Sequence, residues 1–120
     1  MKIAITSRDP GLDGTVDPRF GRASCFVVVD TETGAHETHR NTQNLNAAQG
    51  AGIQAAQAVA HMGAEAVLTG HVGPKAFSTL QAAGITVYCG VSGTVRQALD
   101  RWRTKQLEPA VKADVDGHWV

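Results

Sequence analysis

Val67–Pro74 reads VLTGHVGP, and Val87–Thr94, at an offset of 20, reads VYCGVSGT. Each stretch is a short apolar run followed by Gly-x-x-Gly. Each then meets a residue type that starts helices, Pro in the first case and Thr in the second. Glycine permits the positive φ and the close backbone approach that a tight strand-to-helix junction needs. Repeated strand–turn–helix units imply parallel strands joined by right-handed crossovers, hence an α/β class.

The neighbouring segments extend this pattern. Gly50–Met62 is an Ala/Gln-rich run with Ile53, Ala56 and Ala60 on one face, a helix closed by Gly63. Pro74–Ala83 is a second helix, closed by Gly84, and Ser92 or Thr94 caps a third, in which Val95, Leu99 and Trp102 recur at i, i+4, i+7. Upstream, KIAIT (Lys2–Thr6) and CFVVVD (Cys25–Asp30) are strands, the latter apolar throughout and so buried on both faces. TETG is a turn, and AHETHR (Ala35–Arg40) suits an edge strand. The expected organisation is one domain over 1–103 and a mixed-charge tail over 104–120.

Chain direction places the loops. If the first strand climbs, loop 7–24 lies at the top, and the second strand descends from Cys25. The third climbs back to the Asn-rich loop 41–49. Both Gly-x-x-Gly turns and three helix N-termini then share that top edge. Ligands of open α/β sheets bind outside the carboxyl ends of the strands, and helix N-termini attract anions. Arg8, Arg19, Arg22, Arg40 and Lys75 add cationic side chains nearby. This edge is therefore expected to hold an anion, with Arg8, Asn44, Gly70, His71, Gly73, Lys75, Gly90 and Gly93 as candidate contacts. Lys75 draws notice because a basic residue opposes the helix dipole in a first turn. The alternative is a solvated surface lysine.

Composition removes several classes. With 11 Lys+Arg against 11 Asp+Glu and only 5% aromatic residues, the chain lacks the basic excess and stacking platforms of a nucleic-acid binder. It has no apolar run long enough for a membrane span and no signal-peptide pattern, so a cytoplasmic protein, acting as a monomer, is expected. GAGIQA (Gly50–Ala55) fits a dinucleotide fingerprint in the wrong context, after a polar loop and without the later acidic residue. Small residues that let a helix pack closely are the preferred explanation. His36 and His39 point to opposite faces of their strand, and His118 falls in the tail. Cys25 and Cys89 match no zinc spacing and are either core thiols or ligands at the top edge. No nucleophile elbow, paired carboxylates or P-loop is visible, which favours binding over catalysis.

DPRFGRASCF (Asp17–Phe26) is the most informative loop. Asp17 before Pro18 is turn chemistry, Phe20 is an expected anchor into the core, and Arg19 and Arg22 flank it. Taken with GAGIQAAQAVAHMGAEAVLTGHVGPKAFSTLQAAGITVY, it resembles the dinitrogenase iron–molybdenum cofactor biosynthesis family over about residues 1–103. The carriers of the resemblance are D-x-x-F-G-R before the second strand and T-G-x-x-G-P before the second helix.

The resemblance implies a ribonuclease H-like three-layer α/β/α fold. Its mixed five-stranded sheet has the order 3-2-1-4-5, with strand 2 antiparallel. It also implies a non-enzymatic carrier of an anionic metal–sulfide cluster, of Fe/Mo type or, as in a small stand-alone kind of member, of Mo/Cu type. Cluster donor and acceptor proteins would be its partners. Asp17, Phe20, Gly21 and Arg22 carry over from the first motif, and Gly70, Gly73 and Pro74 from the second. Cys25, His71 and Cys89 are the candidate metal ligands. Because such a cluster brings its own sulfides, N–H donors, cations and apolar walls (Phe20, Val72, Val91) would hold it. The alternative is an enzyme or sensor that uses the same pocket for a phosphate-bearing ligand.

Overall fold

The computed structural model describes residues 1–44, 46 and 50–115; His118, Trp119 and part of the Asn-rich loop lie outside the described residues. The strands are β1 (Lys2–Ser7), β2 (Cys25–Asp30), β3 (His36–Arg40), β4 (Ala66–Leu68) and β5 (Thr86–Tyr88). The helices are α1 (Ala51–His61), α2 (Pro74–Ala82) and α3 (Val95–Arg103). The sheet order is β3-β2-β1-β4-β5, with β2 antiparallel to β1 and β3, and β4 parallel to β1 and β5.

The helices cover both faces. Ala55, Ala56 and Val59 of α1 and Ala76, Phe77 and Leu80 of α2 pack with Ala4, Phe26, Val28, Val67 and Val87 on one side. Val95, Ala98 and Leu99 of α3 pack with Ile3, Ile5, Val27, Val29 and Leu68 on the other. β1 and β2 are covered on both faces, which is why their sequences are apolar without alternation. β3 is exposed along most of its length, as its polar sequence demands. Among the described residues, no helix is long and apolar enough to cross a membrane.

α1 departs from expectation. Its buried residues are Ala51, Gly52, Ala55, Ala56 and Val59, whereas Ala60 is exposed and Ile53 only half-buried. The cause is steric. A Cβ on Gly21 would stand 2.9 Å from the Gly52 Cα, so the helix approaches loop 7–24 too closely for a large side chain. The smallest residues of the helix therefore turn inward.

Residues 104–115 do not trail away from the domain. After a left-handed residue at Lys105 (φ 61°), Leu107 packs on the α3 side of the sheet. The Ala110 N–H then donates to the Val87 carbonyl at 2.7 Å, on the β5 edge. Ala110 and Ala113 finish against the α1/α2 side. The segment is a strap around β5.

Loop 7–24 is fastened to the second half of the chain. The His71 N–H donates to the Pro18 carbonyl at 2.7 Å, and the Phe20 N–H donates to the His71 carbonyl at 3.1 Å. Gly70 makes this approach possible, since a Cβ there would meet the Pro18 Cα at 2.6 Å. Gly70→Ala is expected to cost about 1–3 kcal/mol, the usual range for overpacking, measured as a lowered midpoint in urea unfolding at constant m.

Candidate functional site

The site lies where β1 parts from its antiparallel neighbour on one side and its parallel neighbour on the other. Thr6, near the end of β1, and Thr69, just past β4, are fully buried. The Thr6 hydroxyl donates to the Asp17 carbonyl at 2.8 Å and lies 2.9 Å from the Thr69 hydroxyl. Asp17 is itself only 5% exposed. Its carboxylate accepts the Arg19 N–H at 3.1 Å and the Ser24 N–H at 3.3 Å, so it folds the DPRFGRAS loop back on itself. Further along, the Asn41 amide donates to the Gly21 and Ala23 carbonyls at 3.1 and 2.9 Å. The Gln43 amide donates to the Gly21 and Ala51 carbonyls at 2.7 and 3.1 Å.

Arg8, Asp17, Pro18, Arg19, Ser24 and His71 line a cleft of about 630 Å³. A second depression of about 440 Å³, bounded by Arg19, Gly21, Arg22, Ala23, Asn41 and Gln43, shares Arg19 with it. Among the described residues, Arg8 and Arg19 form no ion pair. The cleft thus carries cations, while the carboxylate in its wall is held by backbone donors.

The helix N-termini divide into two kinds. α1 and α2 follow N-cap glycines, Gly50 and Gly73, with no side-chain cap and no acidic residue in the first turn. α3 is closed. Thr94 and Gln97 form a capping box with bonds of 3.0 and 3.1 Å, and the Val95 and Arg96 N–H groups donate to the Gly14 and Leu12 carbonyls at 2.9 and 2.8 Å. Of the three N-termini expected to attract an anion, two have uncapped donors, and α3 meets its own needs.

The other sequence candidates are placed as follows. The Phe20 ring is 1% exposed and packs on Phe26 at 6.0 Å, so it anchors the loop in the core and does not face the cleft. Val72 and Val91, expected as apolar walls, are likewise buried. Asn44 is tied to α1: its N–H and carbonyl bond the Gln54 side chain at 2.8 and 3.0 Å, and its side-chain oxygen accepts the Asn46 N–H at 2.9 Å. Gly90 and Gly93 have positive φ (72° and 90°). The Gly90 N–H donates to the Gly70 carbonyl, and the Gly93 carbonyl accepts the Val16 N–H, so both join the two turns and loop 7–24. Lys75 is exposed on the first turn of α2.

The cysteines stand apart from each other. Cys25 is buried, its thiol donating to the Ser7 carbonyl at 3.4 Å. Burial, with Asp9 and Asp17 adding to it, pushes that thiol above its ordinary range. Cys89 is half-buried, and burial first, then Asp114, pushes it up to about 12. Both environments favour the neutral thiol over the thiolate that binds metals. Among the described residues, no three His, Cys, Asp or Glu side chains are placed to hold a metal ion.

The sequence reading missed Asp114. From the strap, its carboxylate accepts the Val72 N–H at 2.7 Å and meets the His71 Nδ1 at 2.9 Å. An acidic residue in a mixed-charge tail has no periodicity to mark it. Asn41 and Gln43, inside a loop read only as polar, left no stronger trace.

Known proteins share this architecture. Over 95% of its length the chain is 52% identical to 96% of the orange protein from Desulfovibrio gigas, solved in its apo form, with a TM-score of 0.90. A putative NifB protein from Thermotoga is 34% identical over 95% of this chain and 98% of its own, with a TM-score of 0.78. A protein from Methanocaldococcus jannaschii is 30% identical over 110 residues, 90% of each chain. The dinitrogenase iron-molybdenum cofactor family matches residues 1–105. The chain belongs to that family.

Proposed function

We propose that the protein binds and carries a preassembled, anionic metal–sulfide cluster in the cleft between loop 7–24 and the Gly70–Gly73 turn, without turning it over chemically. The observation that carries this reading is the pair of arginines, Arg8 and Arg19, beside His71 around a cleft whose carboxylate is already engaged. Arg22 extends the positive wall, and the uncapped N-termini of α1 and α2 add N–H donors at the same edge. A bare cation would need anionic or thiolate ligands, and this donor set is the opposite. A cluster that brings its own sulfides needs what is present.

Membership of the family and likeness to the orange protein support a cofactor-binding role. Within that role we assign a Mo/Cu sulfide cargo, the kind the stand-alone members are associated with, ahead of an Fe/Mo cargo. The cargo passes to and from donor and acceptor proteins. Arg8, Arg19, Arg22 and His71 are its contacts. Asp17, Phe20, Gly21 and Gly70 shape the cleft, Asp17 by fixing the loop and Phe20 by anchoring it. Direct coordination by Cys25 or Cys89 forms no part of this reading.

Anaerobic incubation with tetrathiomolybdate and Cu(I), followed by gel filtration, is expected to give stoichiometric visible absorption and matching metal content. A colourless protein that binds nucleotides instead would overturn the carrier reading in favour of a phosphate-ligand sensor or enzyme. Replacing both Arg8 and Arg19 by Ala is expected to weaken cluster retention on the order of 100-fold, two charge-assisted contacts at roughly tenfold each. Retention is also expected to fall between low and about 0.5 M salt, because exposed charges are screened over a few ångströms at that strength.

A further inference from the structure

The strap brings an anion of its own to the edge of the cleft. Asp114 reaches that edge from beyond α3, at the end of a segment held by few contacts. Beyond Leu107, which packs on the α3 side, these are the Ala110 N–H on the Val87 carbonyl at 2.7 Å, the Asp114 N–H on the Val72 carbonyl at 3.3 Å, the packing of Ala110 and Ala113, and the contact of Asp114 with the Cys89 thiol. One Asp114 oxygen holds the Val72 N–H at 2.7 Å, a donor just before Gly73, the N-cap of α2, and the other faces the His71 Nδ1 at 2.9 Å. His71 is also a wall of the cleft. A turn N–H before a helix and a neighbouring imidazole are the donors an oxyanion or sulfide anion seeks. In this chain a carboxylate already sits on them.

We propose that the strap is an internal competitor: Asp114 occupies the His71–Val72 donors in the unloaded protein, and an anionic cargo in the cleft displaces it, releasing residues 108–115 from the β5 edge. The proposal rests on the carrier reading for the charge of the occupant. Because the coupling is reciprocal, cargo loosens the strap as much as the strap weakens cargo binding. The outside of the domain thereby changes with loading. A partner that receives the cargo can distinguish loaded from unloaded protein by the exposed β5 edge and the freed strap.

The test uses the full chain, wild type and Asp114→Asn, with tetrathiomolybdate as the probe. Amide hydrogen exchange at Ala110 and Asp114, followed by NMR, reports the strap, and visible titration reports binding. Displacement predicts that the probe speeds exchange of the Ala110 and Asp114 amides in the wild type on the order of tenfold. Exchange in the core strands stays unchanged. Asp114→Asn is expected to speed the same amides without any probe and to bind the probe several-fold more tightly. Asp114→Ala, which removes the acceptor as well as the charge, is expected to do the same.

If the probe binds and strap exchange is unchanged or slower, displacement is wrong while the carrier reading stands. If affinity rises in Asp114→Asn without probe-induced exchange in the wild type, Asp114 only repels the cargo and the strap does not move. Binding to the variant alone supports a strong competitor. Binding to neither overturns the carrier reading and the competition together.

Discussion

Two backbone hydrogen bonds, from the His71 N–H to the Pro18 carbonyl and from the Phe20 N–H to the His71 carbonyl, make one unit of the long loop and the end of β4. These segments are remote in sequence, and the site exists only because they meet. Several less local features serve this contact. Gly70 removes the Cβ that would strike Pro18, Asp17 curls its loop so that residues 18–20 present their backbone edge, and Phe20 drives the loop into the core. The cleft is thus shaped before any occupant arrives. Little ordering cost is left to binding, and selection among anions falls to charge and size.

The helix ends share out the electrostatics of the top edge. α3 carries the strongest local start signal in the chain, a Thr–Gln capping box, and its early N–H groups are taken up by that box and by loop 7–24. Its role is to hold the loop. α1 and α2 have glycine at the N-cap, with no side chain to compete for their first donors. A cap typically stabilises a helix by about 1 kcal/mol. These two helices forgo it beside the cleft, while α3, at the other end of the same loop, keeps it.

The architecture was legible because its signals are local. The repeated Gly-x-x-Gly turns, Pro74 at a helix start and the unbroken apolar run of β2 each identify an element, and strand direction then follows from loop order. Failures came where a distant surface decided the outcome. Ile53 and Ala60 fit the helical period, yet the closeness of Gly21 to Gly52 turned the smaller residues inward. Phe20 was read both as a core anchor and as a cleft wall, and only its burial separates the two. The three-helix view of the anion edge overlooked that a capping box answers its own donors. Asp114 was illegible because its partners, His71 and Val72, lie far back along the chain, and nothing in a polar tail signals which carboxylate will return.

The two rims of the sheet are protected by different means. β3 is guarded by its own sequence, where His36, Glu37 and Arg40 put charge and bulk on an exposed strand. β5 is short, with Val87 buried, and its rim is covered by a segment that follows every strand of the sheet in the chain. Until the Ala110 N–H reaches the Val87 carbonyl, the sheet is complete but the β5 edge is open to a neighbouring strand. Before the strap closes, this edge is therefore a route to self-association that the finished fold blocks. Cuts made between α3 and Ala110 would keep that route open indefinitely.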